Sequence, residues 1–343
     1  MPKTREPILS VATPTPTPAP TPTSKPTSKP KPDVLSVANL PPFLTEPLQS
    51  AYTLHQRLHE TDPAAFAKVA PHIRAIAASG ESKVGAELMD RLPGLEIISV
   101  MGVGYDGIDV AAAKARGVVV THTPGVLNDD VADLAIALML AWARQVARAD
   151  RFIRAGQWPN GPLPLGRKVS GARLGIVGMG RIGQAIAQRA AAFGMVIAYT
   201  ARSARAEVAH RYLPSAAALA AESDFLVVIT PGGANTRKLI DAAVLKALGP
   251  QGCVINVARG SVIDEAALID ALRTGAIAGA ALDVFEDEPN VPQALREMDN
   301  VVLTPHIGSA TAQTRRAMAD LAFDNLNAQL TGQALLTPVP ECR

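Results

Sequence analysis

The sequence predicts an α/β fold built from doubly wound parallel sheets. Two observations lead to this class: short β-rich apolar runs alternate with helical stretches from Asp33 onward, and a glycine-rich turn joins one such run to a helix at 178–183. The chain has 343 residues, of which 48% are hydrophobic. That length is enough for two domains of ordinary size, each with its own core.

The strand-like runs form two series along the chain. The first series begins near Asp33 and covers residues 34–40, 73–79, 95–106 and 118–124. The second series begins at Arg173 and covers residues 173–178, 195–200, 224–231, 252–259, 277–285 and 300–305. Polar or helical stretches follow the runs, as in parallel βα units. The second series fits one doubly wound sheet.

A long helix is predicted between the two series. It opens at the capping residues Asn128 and Asp129 and runs to Gly156. Its early part is apolar almost all round, so we expect a buried bridge between domains. The apolar segment 131–153 also predicts the interface of a homodimer. A final helix is predicted to begin near Thr311.

The first 32 residues differ in composition from the rest. They contain ten prolines and almost no bulky apolar side chains. Such a segment buries too little surface to offset the entropy lost on ordering, so a disordered, partly polyproline tail is predicted. A docking sequence for a partner is the alternative.

Composition excludes several classes of function. Outside residues 1–32 the chain has 28 basic and 30 acidic residues, a formal charge of −2, and thus offers no basic surface for nucleic acid. Cys253 and Cys342 cannot form a disulfide framework and lack the neighbours of a metal site, so a cytoplasmic protein without a metal is predicted. No apolar run reaches the roughly 18 residues of a membrane span.

A nucleotide site is predicted at the start of the second series. Gly178, Gly180 and Gly183 form a GxGxxG turn directly after a strand, and Arg181 and Ile182 open the helix that follows. Glycines permit the tight turn and the close approach of backbone to a pyrophosphate, and the helix N-terminus supplies free N–H groups.

The end of the next strand indicates which dinucleotide binds. NAD sites carry an acid about 20 residues beyond the glycine loop, which binds the ribose hydroxyls. This chain has no acid between Gly183 and Glu207. The positions after the strand instead offer Thr200, Arg202, Ser203 and Arg205. Two guanidinium groups and a hydroxyl suit a 2′-phosphate, so NADP(H) is predicted over NAD; a solvated basic loop is the alternative.

Three further motifs lie at the carboxyl ends of predicted strands, the edge at which such sheets bind ligands. The motifs at 256–264, 282–289 and 304–311 provide Arg259, Glu288 and His306. Singly, these residues could be a helix-cap arginine, a surface acid and a buried turn histidine. Together on one sheet they predict a catalytic site.

With these motifs in this order, residues 33 to about 332 resemble the D-isomer-specific 2-hydroxyacid dehydrogenases, and within them the NADPH-dependent glyoxylate/hydroxypyruvate reductases. The resemblance implies two doubly wound, Rossmann-like domains. A substrate domain, 33–132, would be completed by 307–343, and the NAD(P)-binding domain, 133–306, would be inserted into it.

The resemblance also implies further contacts. Asp283 matches the residue that holds the nicotinamide amide, and the amides of Val103 and Gly104 would bind the substrate carboxylate. Ser79 and Gly80 would form the opposing wall, or an ordinary turn. Gly107 stands where many members carry Asn. The remaining expected cofactor contacts are Thr230, Pro231, Val257, Ala258 and Gly308, together with Arg259 and His306. Trp158 would reach a neighbouring subunit's site or pack the interface.

The residue types suit the reduction of a 2-keto acid, which requires a hydride for the carbonyl carbon and a proton for its oxygen. Histidine titrates near the working pH and a carboxylate beside it favours imidazolium, so His306 paired with Glu288 is predicted as the acid/base. Arg259 is predicted to anchor the substrate carboxylate and polarise the carbonyl. The expected products are the D-2-hydroxy acids of glyoxylate or hydroxypyruvate reduction.

Three alternatives share the resemblance. Formate dehydrogenases pair their histidine with an amide, so Glu288 argues against them. NAD-dependent D-2-hydroxyacid dehydrogenases are the second alternative. Among them, phosphoglycerate dehydrogenases commonly prefer NAD to NADP and often carry an added regulatory domain. Dinucleotide-sensing corepressor-like proteins keep the fold and the triad while acting mainly by binding, and only turnover separates them from an enzyme.

Overall fold

The computed structural model describes residues 31–343. A disordered tail is predicted for residues 1–32, and residues 1–30 of that segment lie outside the described residues. Residues 32–343 form one compact unit that contains two parallel sheets. The predicted α/β fold with two parallel-sheet domains is confirmed.

The first sheet has five strands within the described residues, in the order β2-β1-β3-β4-β5. Its strands are β1 (Asp33–Ser36), β2 (Thr53–Gln56), β3 (Ile73–Ser79), β4 (Ile97–Met101) and β5 (Val119–Thr121). The helices between them are α1 (Pro42–Ala51), α2 (Leu58–Thr61), α3 (Pro63–Val69), α4 (Ala86–Asp90) and α5 (Val110–Ala115). Only β2 was not predicted, because this edge strand has no buried side chain and so lacks an apolar run.

The second sheet has seven strands within residues 31–343, in the order β12-β11-β10-β9-β6-β7-β8. Its strands are β6 (Arg173–Val177), β7 (Val196–Thr200), β8 (Arg211–Tyr212), β9 (Phe225–Val228), β10 (Cys253–Asn256), β11 (Gly279–Leu282) and β12 (Val301–Leu303). Its helices are α8 (Arg181–Ala191), α9 (Ala216–Ala221), α10 (Ala242–Leu248), α11 (Glu265–Thr274) and α12 (Gln293–Arg296). The six predicted strands are present, and the two-residue β8 is added at the edge.

The single long helix predicted over 128–156 is wrong. The structure has two helices there, α6 (Asn128–Ala143) and α7 (Val146–Arg154), and Gln145 between them has a left-handed backbone with φ of 53°. The Gln145 side-chain amide donates to the carbonyls of Pro164 and Leu165, at 3.0 and 3.2 Å. The break therefore depends on a contact 20 residues away, which local pattern does not reveal.

The start of α6 also differs from the prediction. The N-cap position is Leu127, without a side-chain hydrogen bond, and Asn128 and Asp129 lie inside the first turn. Asp129 and Asp133 instead form ion pairs with Arg189 of α8, at 3.0 and 2.5 Å. Asp129, predicted as a cap, and Asp133 thus join α6 to the helix of the glycine loop.

The last helix, α13 (Ala312–Thr331), begins after the N-cap Thr311, as predicted, and packs against β3, β4 and α1 of the first sheet. Helix α6 packs on α8 and β11 of the second sheet. One apolar cluster joins a face of each sheet through α6 and α13, and each opposite face has a cluster of its own. The domain boundaries at 132/133 and 306/307 stay a prediction; the first lies within α6.

Within residues 31–343, every helix is too short or too polar to cross a membrane.

Candidate active site

His306 and Glu288 lie on the loops that follow β12 and β11. The Nδ1 atom of His306 is 2.7 Å from Oε2 of Glu288. The other carboxylate oxygen of Glu288 accepts a hydrogen bond from the amide of Phe285 at 2.9 Å, which fixes the orientation of the carboxylate. The Nε2 atom of His306 makes no hydrogen bond within residues 31–343 and stays free to face a substrate.

Opposing effects set the pKa values of this pair. Burial, the largest single effect, lowers the pKa of His306, but the hydrogen bond that its Nδ1 donates to Glu288 and the charges of Glu288 and Glu81 together outweigh it, and the pKa is raised. Burial raises the pKa of Glu288, but His306 and the Phe285 amide outweigh burial and the pKa is lowered. These shifts favour an imidazolium next to a carboxylate, the arrangement that an acid catalyst requires.

Asp283 follows β11 and binds the loop after β12, which carries His306. Its side chain is 1% exposed, and its carboxylate accepts hydrogen bonds from the hydroxyl of Thr304 at 2.6 Å and from the amides of Ile307 and Gly308, both at 2.8 Å. The amide of His306 donates to the Asp283 carbonyl at 2.9 Å, and His306 has a left-handed backbone with φ of 52°. Asp283 therefore holds His306 in an uncommon conformation. Its predicted nicotinamide contact stays a prediction.

Arg259 follows β10 and reaches the loop after β4. Its Nε donates to Asp106 at 3.2 Å and its Nη1 to the Ala258 carbonyl at 2.8 Å. Buried Asn256 shapes the turn, because its side chain accepts from the Ala258 amide and donates to the Arg259 carbonyl. The ion pair with Asp106 joins a loop of the second sheet to a loop of the first. Neither Asn256 nor Asp106 was predicted from the sequence as a site residue.

The loop at 102–107 forms a wall against the Arg259 side chain. A methyl group built on Gly104 would overlap the guanidinium, and one built on Gly80 would lie 3.6 Å from its Nη2. The amides of Val103, Gly104 and Gly80 donate no hydrogen bond within the described part of the chain. Free N–H groups beside a guanidinium suit a carboxylate. The Ser79 amide is taken by Ser82, at 2.9 Å.

Glu81 is a site residue that the sequence analysis missed. Its Oε1 atom is 3.2 Å from His306 Nδ1, although its side chain is 62% exposed. One ligand atom from each of Glu81, Glu288 and His306 lies within 4.8 Å of the others. The carboxylates of Glu81 and Glu288 both face the proton on His306 Nδ1, which accounts for this cluster as a set of ion pairs. A metal ion bound there would have to displace that proton.

The glycine turn connects β6 to α8, where the strand order reverses between β6 and β9. Gly178 has φ of +105°, which only glycine adopts readily, and a methyl group on Gly183 would overlap the Gly178 carbonyl. Gly180 is the N-cap of α8, and nothing lies within 4 Å of a methyl group built on it. The turn therefore leaves the open space that a pyrophosphate needs at a helix N-terminus.

The remaining predicted cofactor residues follow the neighbouring strands at this edge. Thr200 is buried at the end of β7, and its carbonyl accepts from the Gly178 amide at 2.9 Å. Arg202 and Ser203 are exposed, and Arg205 lies 3.4 Å from Glu207. Thr230 and Pro231 follow β9, while Val257 and Ala258 follow β10. Their contacts with a dinucleotide stay a prediction.

The sheet has a glycine turn at the point where its strand order reverses, and a histidine–glutamate pair and an arginine lie at the same edge. These features are typical of a dinucleotide-dependent oxidoreductase. The sequence profile of the D-isomer specific 2-hydroxyacid dehydrogenase, NAD binding domain, matches residues 136–308. The chain belongs to the D-isomer specific 2-hydroxyacid dehydrogenase family.

Similar proteins cover nearly the whole described chain. The 2-ketogluconate reductase of Gluconobacter oxydans is 46% identical over 309 residues, 90% of this chain and 99% of that protein. A glyoxylate/hydroxypyruvate reductase of Arabidopsis thaliana is 49% identical over 267 residues, 78% of this chain and 85% of the relative. The NADPH-dependent glyoxylate/hydroxypyruvate reductase of Sinorhizobium meliloti, solved with NADP and malonate, is 45% identical, with a TM-score of 0.85 over 91% of this chain and 98% of that one.

Proposed function

We propose that this protein reduces a small 2-keto acid, of the glyoxylate and hydroxypyruvate class, to the 2-hydroxy acid with NADPH, and that the product has the D configuration where it is chiral. The observation that carries the proposal is the His306–Glu288 pair at the same sheet edge as Arg259 and the glycine turn. The names of the relatives from Arabidopsis and Sinorhizobium support this substrate class.

Arg259 and the free amides of Val103 and Gly104 bind the substrate carboxylate and hold the adjacent carbonyl. Asp106 and the Ala258 carbonyl hold the Nε and Nη1 atoms of Arg259, and its Nη2 has no hydrogen-bond partner within residues 31–343. His306 donates its Nε2 proton to the carbonyl oxygen, and the resulting neutral ring keeps its Nδ1 proton on the Glu288 side. Bound NADPH supplies the hydride that the carbonyl carbon takes up.

The preference for NADPH rests on the loop after β7. No acidic residue stands between Gly183 and Glu207, and Arg202 and Ser203 are solvent-exposed without a protein partner within residues 31–343. A 2′-phosphate is the part of NADPH that such a loop would bind. The NADP complex of the Sinorhizobium relative supports the same preference.

Two other features belong to the proposal. The segment 146–165 exposes Val146, Ile153, Trp158 and Leu165, and Leu165 is 97% exposed, which supports the predicted homodimer. The inserted arrangement of domains and a cytoplasmic location, predicted from the sequence, are proposed with it.

The test is turnover of a substrate panel by the purified full chain. NADPH consumption is followed with glyoxylate, hydroxypyruvate and 2-ketogluconate, with NADH in parallel and His306→Ala as the control. We expect reduction of the two small keto acids and a loss of about 10²–10⁴-fold in the variant. Preference for 2-ketogluconate would move the substrate class to sugar acids, NADH preference would favour an NAD-dependent dehydrogenase, and binding without turnover would favour a dinucleotide sensor.

A further inference from the structure

A buried histidine lies behind the loop that faces Arg259. His122 follows β5 and is 9% exposed, and its Nδ1 is 3.0 Å from the carbonyl oxygen of Val103. A carbonyl only accepts hydrogen bonds, so Nδ1 carries the hydrogen and donates. Burial lowers the pKa of His122, which favours the neutral ring, and in that ring the Nδ1–H is the single donor.

The bond to His122 determines the direction of the next amide. The Val103 carbonyl and the Gly104 N–H belong to one planar peptide group, in which they point in opposite directions. Because the carbonyl points at His122, the Gly104 N–H points to the other side. Gly104 packs against the Arg259 guanidinium, and its N–H has no acceptor within residues 31–343.

The backbone of His122 is itself held on both sides by Thr337. The His122 amide donates to the Thr337 carbonyl at 3.2 Å, and the His122 carbonyl accepts from the Thr337 hydroxyl at 2.5 Å. Asn325 of α13, which is fully buried, accepts from the Thr337 amide at 2.9 Å and donates to its hydroxyl at 2.8 Å. Movement of His122 would therefore break several buried hydrogen bonds.

An aromatic contact restricts the ring. Tyr105 meets the His122 ring edge-on, with 5.3 Å between ring centroids and 89° between planes. The Tyr105 hydroxyl donates to Glu341 at 3.2 Å. The histidine ring therefore has little freedom to rotate away from Val103.

We propose that His122 is a positioning residue for the substrate: it orients the Gly104 N–H toward the carboxylate of the keto acid, beside Arg259. This inference rests on the proposed function. His122 does not touch the reacting atoms, so its loss weakens binding of the carboxylate and leaves NADPH binding and the proton transfer from His306 in place.

The experiment compares His122→Leu, which removes the donor, with His122→Asn, whose side-chain amide can occupy the position of Nδ1. His55→Leu is the matched control, since His55 forms a part-buried ion pair with Asp33 in the same sheet, 2.7 Å apart. KM and kcat for glyoxylate, KM for NADPH, and the affinity for oxamate, an unreactive keto acid analogue, are measured at saturating NADPH.

We expect His122→Leu to raise KM for glyoxylate and to weaken oxamate by about tenfold, the range of one hydrogen bond to a charged group. His122→Asn restores most of that affinity, and kcat and KM for NADPH change little. Thr337→Val removes the hydroxyl that binds the His122 carbonyl, so we expect a smaller change in the same direction. This variant tests the inference if His122→Leu does not fold.

Unchanged oxamate affinity in His122→Leu, or an equal loss in His55→Leu, overturns the inference. An equal loss of NADPH affinity does the same, because it indicates general damage. A wild-type protein that binds oxamate but reduces no keto acid contradicts the proposed function instead, and the oxamate affinities still test His122.

Discussion

Glu288 and His306 are joined by a 2.7 Å hydrogen bond between Oε2 and Nδ1, and this bond connects the loops after two neighbouring strands. The carboxylate has a lowered pKa and the imidazole a raised pKa. The charge attraction between the two side chains contributes stability only while both groups are charged. This contribution is lost as pH rises through the pKa of folded His306, and also as pH falls through that of folded Glu288.

Replacement of Glu288 by Gln should move the pH profile of keto acid reduction. Reduction needs protonated His306, so its rate falls as pH rises through the pKa of that residue. Without the Glu288 charge the raised pKa falls, and the decline should begin at lower pH. Profiles of kcat against pH for the wild type and the variant measure this. Glu286→Gln, on the same loop, is the control, and an unmoved profile in Glu288→Gln would show that another group is the partner.

Glu81→Gln should shift the same profile in the same direction but by less. Glu81 is 3.2 Å from Nδ1 but 62% exposed, so water and salt screen its charge. Added salt should shrink the difference between wild type and Glu81→Gln while leaving most of the Glu288→Gln effect. A shift as large as that of Glu288→Gln would contradict this ranking.

Arg259→Ala should lower kcat/KM for glyoxylate by about 10²–10³-fold, because a charged donor at the carboxylate and carbonyl is lost. The affinity for NADPH should be nearly unchanged. Arg237→Ala, which removes an exposed ion pair with Glu286 2.8 Å away, is the control and should keep wild-type rates. Near-normal turnover by Arg259→Ala would remove this arginine from the mechanism.

Arg202→Ala should weaken NADPH and leave NADH unaffected, because NADH has no 2′-phosphate. A charged hydrogen bond contributes about 1.5–3 kcal/mol, which is roughly 10- to 150-fold in affinity. Arg205→Ala should have a smaller effect, since Arg205 already lies near Glu207. Kinetics with both cofactors measure the effect. Equal loss of both would indicate a solvated loop only.

Asp283→Asn should lower both stability and kcat. An amide offers one acceptor oxygen, so at least one of the buried donors that now bind Asp283 loses its partner, at a cost of about 1–3 kcal/mol. His306 then loses the support for its left-handed backbone. Thermal melting and kcat are the measurements. A melting temperature equal to that of the wild type would show that the three hydrogen bonds are dispensable.

The sequence by itself predicted six strands of the second sheet and placed the candidate site residues at their carboxyl ends. Its central strands are buried apolar runs, and Gly178, Arg259 and His306 stand within three residues of a strand end, so a local pattern reveals both the element and its edge. The edge strands β2 and β8 escaped prediction, because a strand with little buried surface has no apolar signature. The break at Gln145 escaped it because the residues that fix the break are distant in sequence.

Only the tertiary structure decided which side chains support the reacting ones. Asp106 meets Arg259 across 153 positions, and Glu81 meets His306 across 225. His122 lies behind Gly104 because two strands and the segment after α13 come together there. Such contacts depend on how the loops of the two sheets meet. The periodicity of a single segment does not encode the distances between side chains on different loops.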